Sequence, residues 1–471
     1  MKRILLLGTT LWLGAWMVSC QTQEKQQKDF RAAKERFTTN CSGCHGAQME
    51  AFTDRKWKHG NEPDSLFQTI KYGLGDLGMP SFQNAFTDEE IQDLVAYIRT
   101  GIENTGQYTF EEETIRSDTF ETSAEFDLKL DTVYSGGAVP WGMVFLPNSE
   151  LLITEVSGRL YKINAQREKT EISGGPETRA FGQGGLMDIE LHPDFETNQL
   201  LYLSYAKIKV DGGDTLATTA IAKYKYAGDR LTDGEDLVVA MPYSKKPYHF
   251  GSRIEFDDDG YLYFSVGDRG SRDTNPQNLD NHCGKIHRIH DDGSIPMDNP
   301  FVGDSTAIQS IYSYGHRNPQ GLAFNPSDDQ LWENEHGPRG GDEINIIQPG
   351  INYGWPEVSY GINYDGTIFT SDTTRQGMHA PLHYWVPSIA PCGMDFIDST
   401  LYPQWENQLL VASLRFKYLN RCKIQNGKVI EEEKLLQNIG RVRNVKTGPD
   451  GYIYVAVEQP GSIFRLIPIQ K

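Results

Sequence analysis

Residues 314–354 read YGHRNPQGLAFNPSDDQLWENEHGPRGGDEINIIQPGINYG. The middle of this stretch, PSDDQLWENEHG from Pro326, is one copy of a unit that recurs along the chain. Each copy is a turn rich in Asp, Asn, Gly or Pro, then a short apolar strand, then often a second strand ending in a basic or aromatic residue. The other copies are PNSELLITEVSGRLYKI at Pro147, HPDFETNQLLYLSYAK at His192, DDDGYLYFSVGD at Asp257, WENQLLVASLRF at Trp405 and PDGYIYVAVEQPGSIFRL at Pro449. Their spacing, mostly about 45–75 residues, is close to or longer than that of propeller repeats. A small antiparallel sheet cannot bury both faces alone, so radial stacking into an all-β six-bladed β-propeller is expected over residues 126–471. The innermost strands then converge on a central channel. A β-sandwich is the alternative, but roughly 345 residues of regularly spaced strands is too much for one.

The two loops of the opening stretch offer different chemistry. Arg317 and Asn318 stand beside Pro319, and a guanidinium presents a planar fork of donors suited to carboxylates. In EHGPRGGDEIN, three glycines permit positive φ, so main-chain carbonyls can turn inward towards Ca²⁺ while Glu343 adds a carboxylate. An anion fork beside a hard-cation loop suggests a polyanionic cofactor bridged by metal.

Three further segments carry candidate chemistry. His249, in YHFGSRIEF, precedes a strand whose far end reaches the GDRGS loop, and an imidazole can accept a proton near neutral pH. A lone histidine is more often structural than catalytic, and the residues alone favour that reading. Gln183, in FGQGGLMDIELHPDF, lies between glycines that allow either close approach of a planar ligand or a tight turn. Arg441 and Arg443, in RVRNVKTGPDG, fall on one side of a strand because side chains alternate. Two guanidiniums on one inward face repel unless an anion lies between them, and a solvated basic strand is the other reading.

The remaining chain sets the context. At 471 residues two domains are expected, and a net charge of −19 without a basic patch excludes nucleic acid as a partner. The N-terminus MKRILLLGTTLWLGAWMVSC reads as a lipoprotein signal over residues 1–20, with Met17-Val18-Ser19 preceding Cys20. Plain signal cleavage or an uncleaved anchor are the alternatives. A lipid anchor at Cys20 places the rest outside the cytoplasm, in the periplasm or at the outer membrane.

Residues 26–104 read as a small all-α domain. Phe30, Ala33 and Phe37 mark an amphipathic helix running into Cys41-Ser42-Gly43-Cys44-His45. CxxCH is the attachment sequence of haem c, with Cys41 and Cys44 bonded to the vinyl groups and His45 on the iron. A structural or zinc role wants a second ligand pair, and none is near. Met79, in LGMPSF, fits the distal iron ligand; Met49 lies too close to His45, and His59 is a weaker rival. Thr87 and Glu90 form a capping box opening a helix whose apolar face is Ile91, Leu94, Val95 and Ile98. Attachment motif, GMP loop and terminal helix in this order resemble class I cytochromes c. Residues 105–125, acidic and without apolar period, read as a mobile linker. Cys283, Cys392 and Cys422 allow one disulfide at most, and which pair is not readable.

GHRNPQGLAF, GPRGGDEIN and NYGWP, in this order and spacing, resemble the soluble glucose and aldose sugar dehydrogenases that use pyrroloquinoline quinone (PQQ), and NHCGKIHRIHDDGSIPMDNPF resembles them again. The resemblance implies that His249 is the general base of a His-x-x-x-Arg segment, acting with Gln183 and Arg317. It implies PQQ binding by Gln183, Arg317, Asn318, Tyr364, Arg415, Arg441 and Arg443. The carbonyls of Gly337 and Pro338 would ligate the Ca²⁺ that also holds PQQ, with Glu343 and the carbonyl of Tyr353 at a second, structural ion. Two residues depart from the family pattern: Arg415 stands where a lysine is common, with Lys417 two residues on, and Tyr248 where glucose dehydrogenases can have an aspartate. Trp385 is a candidate for the pocket wall.

The implied activity is oxidation of an aldose, or related sugar or alcohol, at the anomeric hydroxyl to a lactone. Two electrons then leave singly through the haem to a downstream periplasmic or membrane acceptor. A calcium-dependent propeller lactonase and a non-enzymatic electron-transfer or binding lipoprotein are the rivals.

Overall fold

The computed structural model describes residues 30–41, 60, 62–74, 79–103, 117–136, 138–364, 367–458 and 460–471. They fall into two compact units, one helical and one built from six sheets.

In the helical unit, α1 (Arg31–Asn40), α2 (Pro63–Tyr72) and α3 (Asp88–Glu103) enclose a small core. Ala33 and Phe37 of α1, Leu66 and Ile70 of α2, and Ile91, Leu94, Val95 and Ile98 of α3 are all buried. The capping box forms as its sequence requires: Thr87 N–H donates to Glu90 Oε2 at 2.8 Å, and Glu90 N–H to Thr87 Oγ1 at 3.3 Å. Glu90 also accepts from Arg36, which ties α3 to α1. Among the haem candidates, Cys41 closes α1 and Met79 pairs with Leu74 in an isolated bridge. Cys20, Cys44, His45, Met49 and His59 lie outside the described residues.

The second unit is the expected propeller. Innermost strands Pro140–Phe145, Leu186–Leu191, Ile254–Phe256, Pro319–Phe324, Pro391–Phe396 and Val442–Thr447 each begin a sheet of antiparallel neighbours. Each innermost strand packs against the next, and the sixth packs against the first, so the ring is closed. The six repeated turns all fall between the first and second strands of their blades: Pro147 precedes Leu151–Glu155, His192 precedes Leu200–Asp211, and so on to Pro449 before Ile453–Val457.

The core lies between blades. Alternating side chains send Leu152 and Leu160 of the first blade towards Leu186 and Ile189 of the second, while Ile153 and Tyr161 pack against Tyr454 and Ile463 of the sixth. Comparable clusters fill the other interfaces.

The ring closes through a strand from its own beginning. Phe126–Ser135 pairs antiparallel with Ser462–Gln470, the third strand of the sixth blade, in a register running from Phe126↔Gln470 to Ser135↔Ser462. The connector expected over residues 105–125 therefore ends early. Thr119–Phe120 pairs with Leu128–Lys129, and Thr122 and Ala124 are buried. Phe120 and Ala124 supply the apolar contacts that fix this segment against the sixth blade, a pairing that its acidic composition conceals.

Cys283, Cys392 and Cys422 are buried free thiols, so none of these three cysteines pairs with another. Among the described residues no helix is long and apolar enough to cross a membrane.

Candidate active site

In each blade the start of the innermost strand and the end of the second strand lie at the same mouth of the channel, because the two run antiparallel. Gln183, His249, Arg317 and Arg441 precede innermost strands, while Asp268, Glu335, Arg415 and Glu458 stand at or just beyond the ends of second strands. This topology, rather than nearness in sequence, assembles the site. The Asp- and Gly-rich turns of the repeat lie at the opposite mouth.

His249 is held in an uncommon backbone conformation, φ +59°, which a non-glycine residue keeps only when its surroundings fix it. Its N–H donates to Gln183 Oε1 at 2.9 Å, and its Nδ1 lies 2.7 Å from Asp268 Oδ1. The carbonyls of its neighbours are held as well, Pro247 by Gln183 N–H and Tyr248 by the Arg269 guanidinium. Gln183 thus makes a tight turn and braces the histidine at once. Gly182 in that turn has φ +60°, and a Cβ there would lie 2.1 Å from the Pro247 oxygen.

Asp268 is almost wholly buried and saturated. Oδ1 also accepts from Gly270 N–H at 2.6 Å, Oδ2 accepts from Trp355 Nε1 at 2.9 Å, and its own N–H donates to the Arg317 carbonyl. Burial alone raises its pKa, but His249, Arg317 and the Gly270 N–H more than offset this and hold the carboxyl below its usual range. His249 is shifted downward, first by burial and then by the Arg317 charge, with Asp268 opposing. A neutral imidazole whose Nδ1–H points at Asp268 leaves Nε2 as an acceptor.

Arg317 is 6% exposed, its Nη1 donates to the His336 carbonyl at 3.0 Å, and its guanidinium stands 5.3 Å from the Trp355 ring centre. Its Nε is buried with no partner among the described residues, an orphaned cationic donor. Asn318 is buried, and its Oδ1 accepts from Gly251 N–H, joining the third and fourth blades behind His249.

Arg441 and Arg443 converge on an internal anion. Glu458 accepts from Arg441 Nε at 2.6 Å and from Arg443 Nε at 2.7 Å. Burial raises the Glu458 pKa, and the two guanidiniums outweigh it, bringing it down to about 2. The anion between the arginines is thus supplied by the chain itself. Simple alternation is not what aligns them either. Val442 pairs with Val457 and Asn444 with Ala456, so Arg443 is the extra residue of a bulge that re-aims its side chain. Arg443 Nη1 goes on to Gln320 Oε1 at 3.2 Å and to the Cys392 sulfur at 3.0 Å.

The glycine loop is a narrow cradle. A Cβ on Gly337 would lie 2.1 Å from the Gly341 oxygen, so only glycine fits. Gly337 N–H donates to Asp342 Oδ1, and the Pro338 carbonyl accepts from Ser388 Oγ at 3.1 Å. Arg415 Nη1 reaches the Ser388 carbonyl at 3.3 Å, which brings this half-buried residue to the same loop. Glu335, Gly337, Glu343, Tyr353 and Ser359 line a cavity of about 10 Å³, the size of one water-sized sphere. Glu343 pairs across the ladder with Glu335, and burial followed by repulsion from Glu335 pushes its carboxyl well above the usual range. Arg317 and His336 border the same cavity, and its oxygen donors, the Glu343 carboxylate among them, suit a hard cation such as Ca²⁺.

Two candidates sit elsewhere. Tyr364 is 48% exposed, in a segment joined to the glycine loop through the Arg339–Ile362 bridge. Trp385 does not wall the pocket: it lies in the outermost strand of the fourth blade, its indole donating to Glu432 at 2.7 Å. Aromatic identity alone could not separate it from Trp355, which does occupy the site. Asp268, Trp355, Glu335 and Glu458 were not singled out from sequence, although the GDRGS loop and NYGWP contain the first two.

Residues 138–465 match the family model described as Glucose / Sorbosone dehydrogenase, a span covering nearly all of the propeller and its site-bearing mouth. The class defined is that of propeller sugar dehydrogenases, which are oxidoreductases. The chain belongs to this family. Residues 28–98 match the model described as Cytochrome C oxidase, cbb3-type, subunit III, and the N-terminal unit is a cytochrome c domain. The chain is 42% identical over 337 residues to aldose sugar dehydrogenase YliI of Escherichia coli, covering 70% of this chain and 90% of that protein. The apo-form crystal structure of the soluble aldose sugar dehydrogenase from Escherichia coli superposes with TM-score 0.69 at 39% identity, over 73% of this chain and all of that one. The PQQ-bound aldose sugar dehydrogenase of Streptomyces coelicolor superposes at 0.61 with 26% identity, over 74% of this chain and 100% of that one.

Proposed function

We propose that this protein is a quinohaemoprotein that oxidises an aldose, or a related sugar or alcohol, at the anomeric hydroxyl to a lactone and passes the electrons singly to a covalently bound haem c. The observation that carries this reading is the oriented His249–Asp268 pair beside the orphaned, buried Nε of Arg317. A calcium-dependent lactonase has no need of four arginines around one mouth.

The residues present fit PQQ. Arg317, Arg415, Arg441 and Arg443 offer guanidiniums to a tricarboxylate, with Gln183, Asn318 and Tyr364 as the remaining candidates. The carbonyls of Gly337 and Pro338 suit the Ca²⁺ beside it, and Glu343 with the Tyr353 carbonyl suit a second ion. When bound, the quinone supplies a two-electron acceptor and the ion a Lewis acid.

The chain's own part is proton transfer and positioning. His249 Nε2 takes the proton of the substrate hydroxyl, and Asp268, already bonded at Nδ1, stabilises the imidazolium that results. Gln183 fixes the histidine backbone, and Arg317 supplies a fixed positive charge where negative charge develops. In the cytochrome unit, Cys41 and Cys44 would hold the haem and His45 and Met79 its iron, and such a centre accepts one electron at a time. An anchor at Cys20 would keep the protein extracytoplasmic, facing a periplasmic or membrane acceptor.

The test adds PQQ and Ca²⁺ to the purified, haem-loaded protein, supplies aldoses, and follows haem reduction in the visible spectrum. Reduction is expected; its absence with every sugar and alcohol tried rejects the enzyme reading. His249→Ala abolishes turnover and leaves the haem spectrum intact.

A further inference from the structure

Lys285 opens the third strand of the third blade and is fully buried. Its Nζ is met by four oxygens, those of the Asn275, Asn278 and Cys283 carbonyls at 2.5, 2.7 and 2.7 Å and Asn281 Oδ1 at 3.3 Å. No carboxylate is within ion-pair distance of it among the described residues. Ordinary buried lysines lie against an acid, because an isolated ammonium is costly to bury. Here the loop between Val266 and Lys285 wraps its own carbonyls around the charge, as a protein does around a bound cation.

That loop carries the orienting acid. Asn275, whose carbonyl Lys285 holds, donates its side-chain Nδ2 to the Asp268 carbonyl at 3.0 Å. Two positions on, Gln277 Nε2 donates to the Trp355 carbonyl at 2.7 Å, and the Trp355 indole holds Asp268 Oδ2. Both routes from the ammonium end on Asp268, one through its backbone and one through its carboxylate.

We infer that Lys285 is a positioning residue for the sugar oxidation: it acts as a covalently tethered cation that orders the loop of residues 267–284 and so sets the Asp268–His249 geometry. The inference rests on the reading of His249 as the base. Without the ammonium, four carbonyl-type oxygens face one another, the loop opens, and Asp268 leaves the imidazole. The base is then misaligned while Arg415, Arg441 and Arg443, which lie on the fifth and sixth blades, are untouched.

The experiment compares the wild-type chain, loaded with haem, PQQ and Ca²⁺, with Lys285→Met and Asn275→Ala. Lys285→Met lowers kcat roughly 10- to 100-fold with KM changed by less than about threefold, the scale expected of a small misplacement. The acid limb of its rate profile moves to lower pH, because Asp268 no longer supports the imidazolium. Independently of turnover, the downfield Nδ1–H proton signal of His249, assigned by its loss in His249→Ala, disappears. Asn275→Ala, which removes one bond to Asp268 and leaves the lysine cage, moves all three in the same direction by less. Wild-type profiles and an intact signal in Lys285→Met overturn the inference. If Lys285→Met does not fold, an unchanged profile and signal in Asn275→Ala overturn it. If the wild type oxidises no sugar, the functional reading fails and the proton signal alone decides this one.

Discussion

The imidazole Nδ1 of His249 lies 2.7 Å from the Asp268 carboxylate, although the two stand 19 residues apart with a pair of antiparallel strands between them. The bond fixes which ring nitrogen is free, and everything proposed for the mouth of the channel depends on it. Asp268→Asn keeps the shape and removes the charge. It is expected to lower kcat/KM by about 10²-fold or more, measured by steady-state sugar oxidation, with the cytochrome spectrum unchanged.

The same bond sets the pH dependence. Burial and then the Arg317 charge lower the His249 pKa, so the folded protein carries a neutral imidazole below the ordinary imidazole value. Activity is therefore retained as pH falls through about 6.5 and lost only at lower pH. Arg317→Gln removes one of the lowering charges, and the acid limb of kcat/KM against pH moves upward.

Glu458 holds Arg441 and Arg443 together, and its pKa of about 2 lies below the usual glutamate value. A lowered carboxyl pKa contributes stability that is complete above the ordinary value and is lost as pH falls through about 2. Glu458→Gln should destabilise the PQQ-free protein by about 1–3 kcal/mol, since it leaves two part-buried guanidiniums without their carboxylate. Adding PQQ, a polyanion, should restore part of that loss. Thermal unfolding of the variant with and without PQQ measures both effects.

Calcium should raise the unfolding midpoint through the Glu343 cavity. At a free concentration about 100 times the dissociation constant the gain is about 2.7 kcal/mol. Glu343→Gln abolishes most of that gain, while a chelator brings wild type down to the variant's midpoint.

Ring closure depends on the strand that precedes the first blade. Leu128 is fully buried against the fifth- and sixth-blade cluster, and Leu128→Ala should cost about 2–5 kcal/mol in denaturant unfolding. A loss under about 1 kcal/mol would mean that the ring is closed by other contacts.

The repeat was legible because each blade announces itself locally. A turn such as Asp257–Gly260 before Leu262–Val266 is encoded within a few residues, so counting turns counts blades. The Thr87–Glu90 capping box was legible for the same reason. The strand at Phe126–Ser135 was harder to place, since its partner at Ser462–Gln470 lies at the other end of the chain. Trp355 and Trp385 look alike in sequence, and only the tertiary structure assigns the first, in a turn, to the site and the second, in an outermost strand, to a blade interface.

The sequence by itself determined the number of blades, two of the cytochrome unit's three described helices and the arginine candidates, because those follow from short-range periodicity and residue type. Only the tertiary structure decided which carboxylates serve those groups. Asp268 meets His249, and Glu458 meets two arginines, because antiparallel strands return distant loops to one end of the channel, where burial makes an unpaired charge too costly to leave alone.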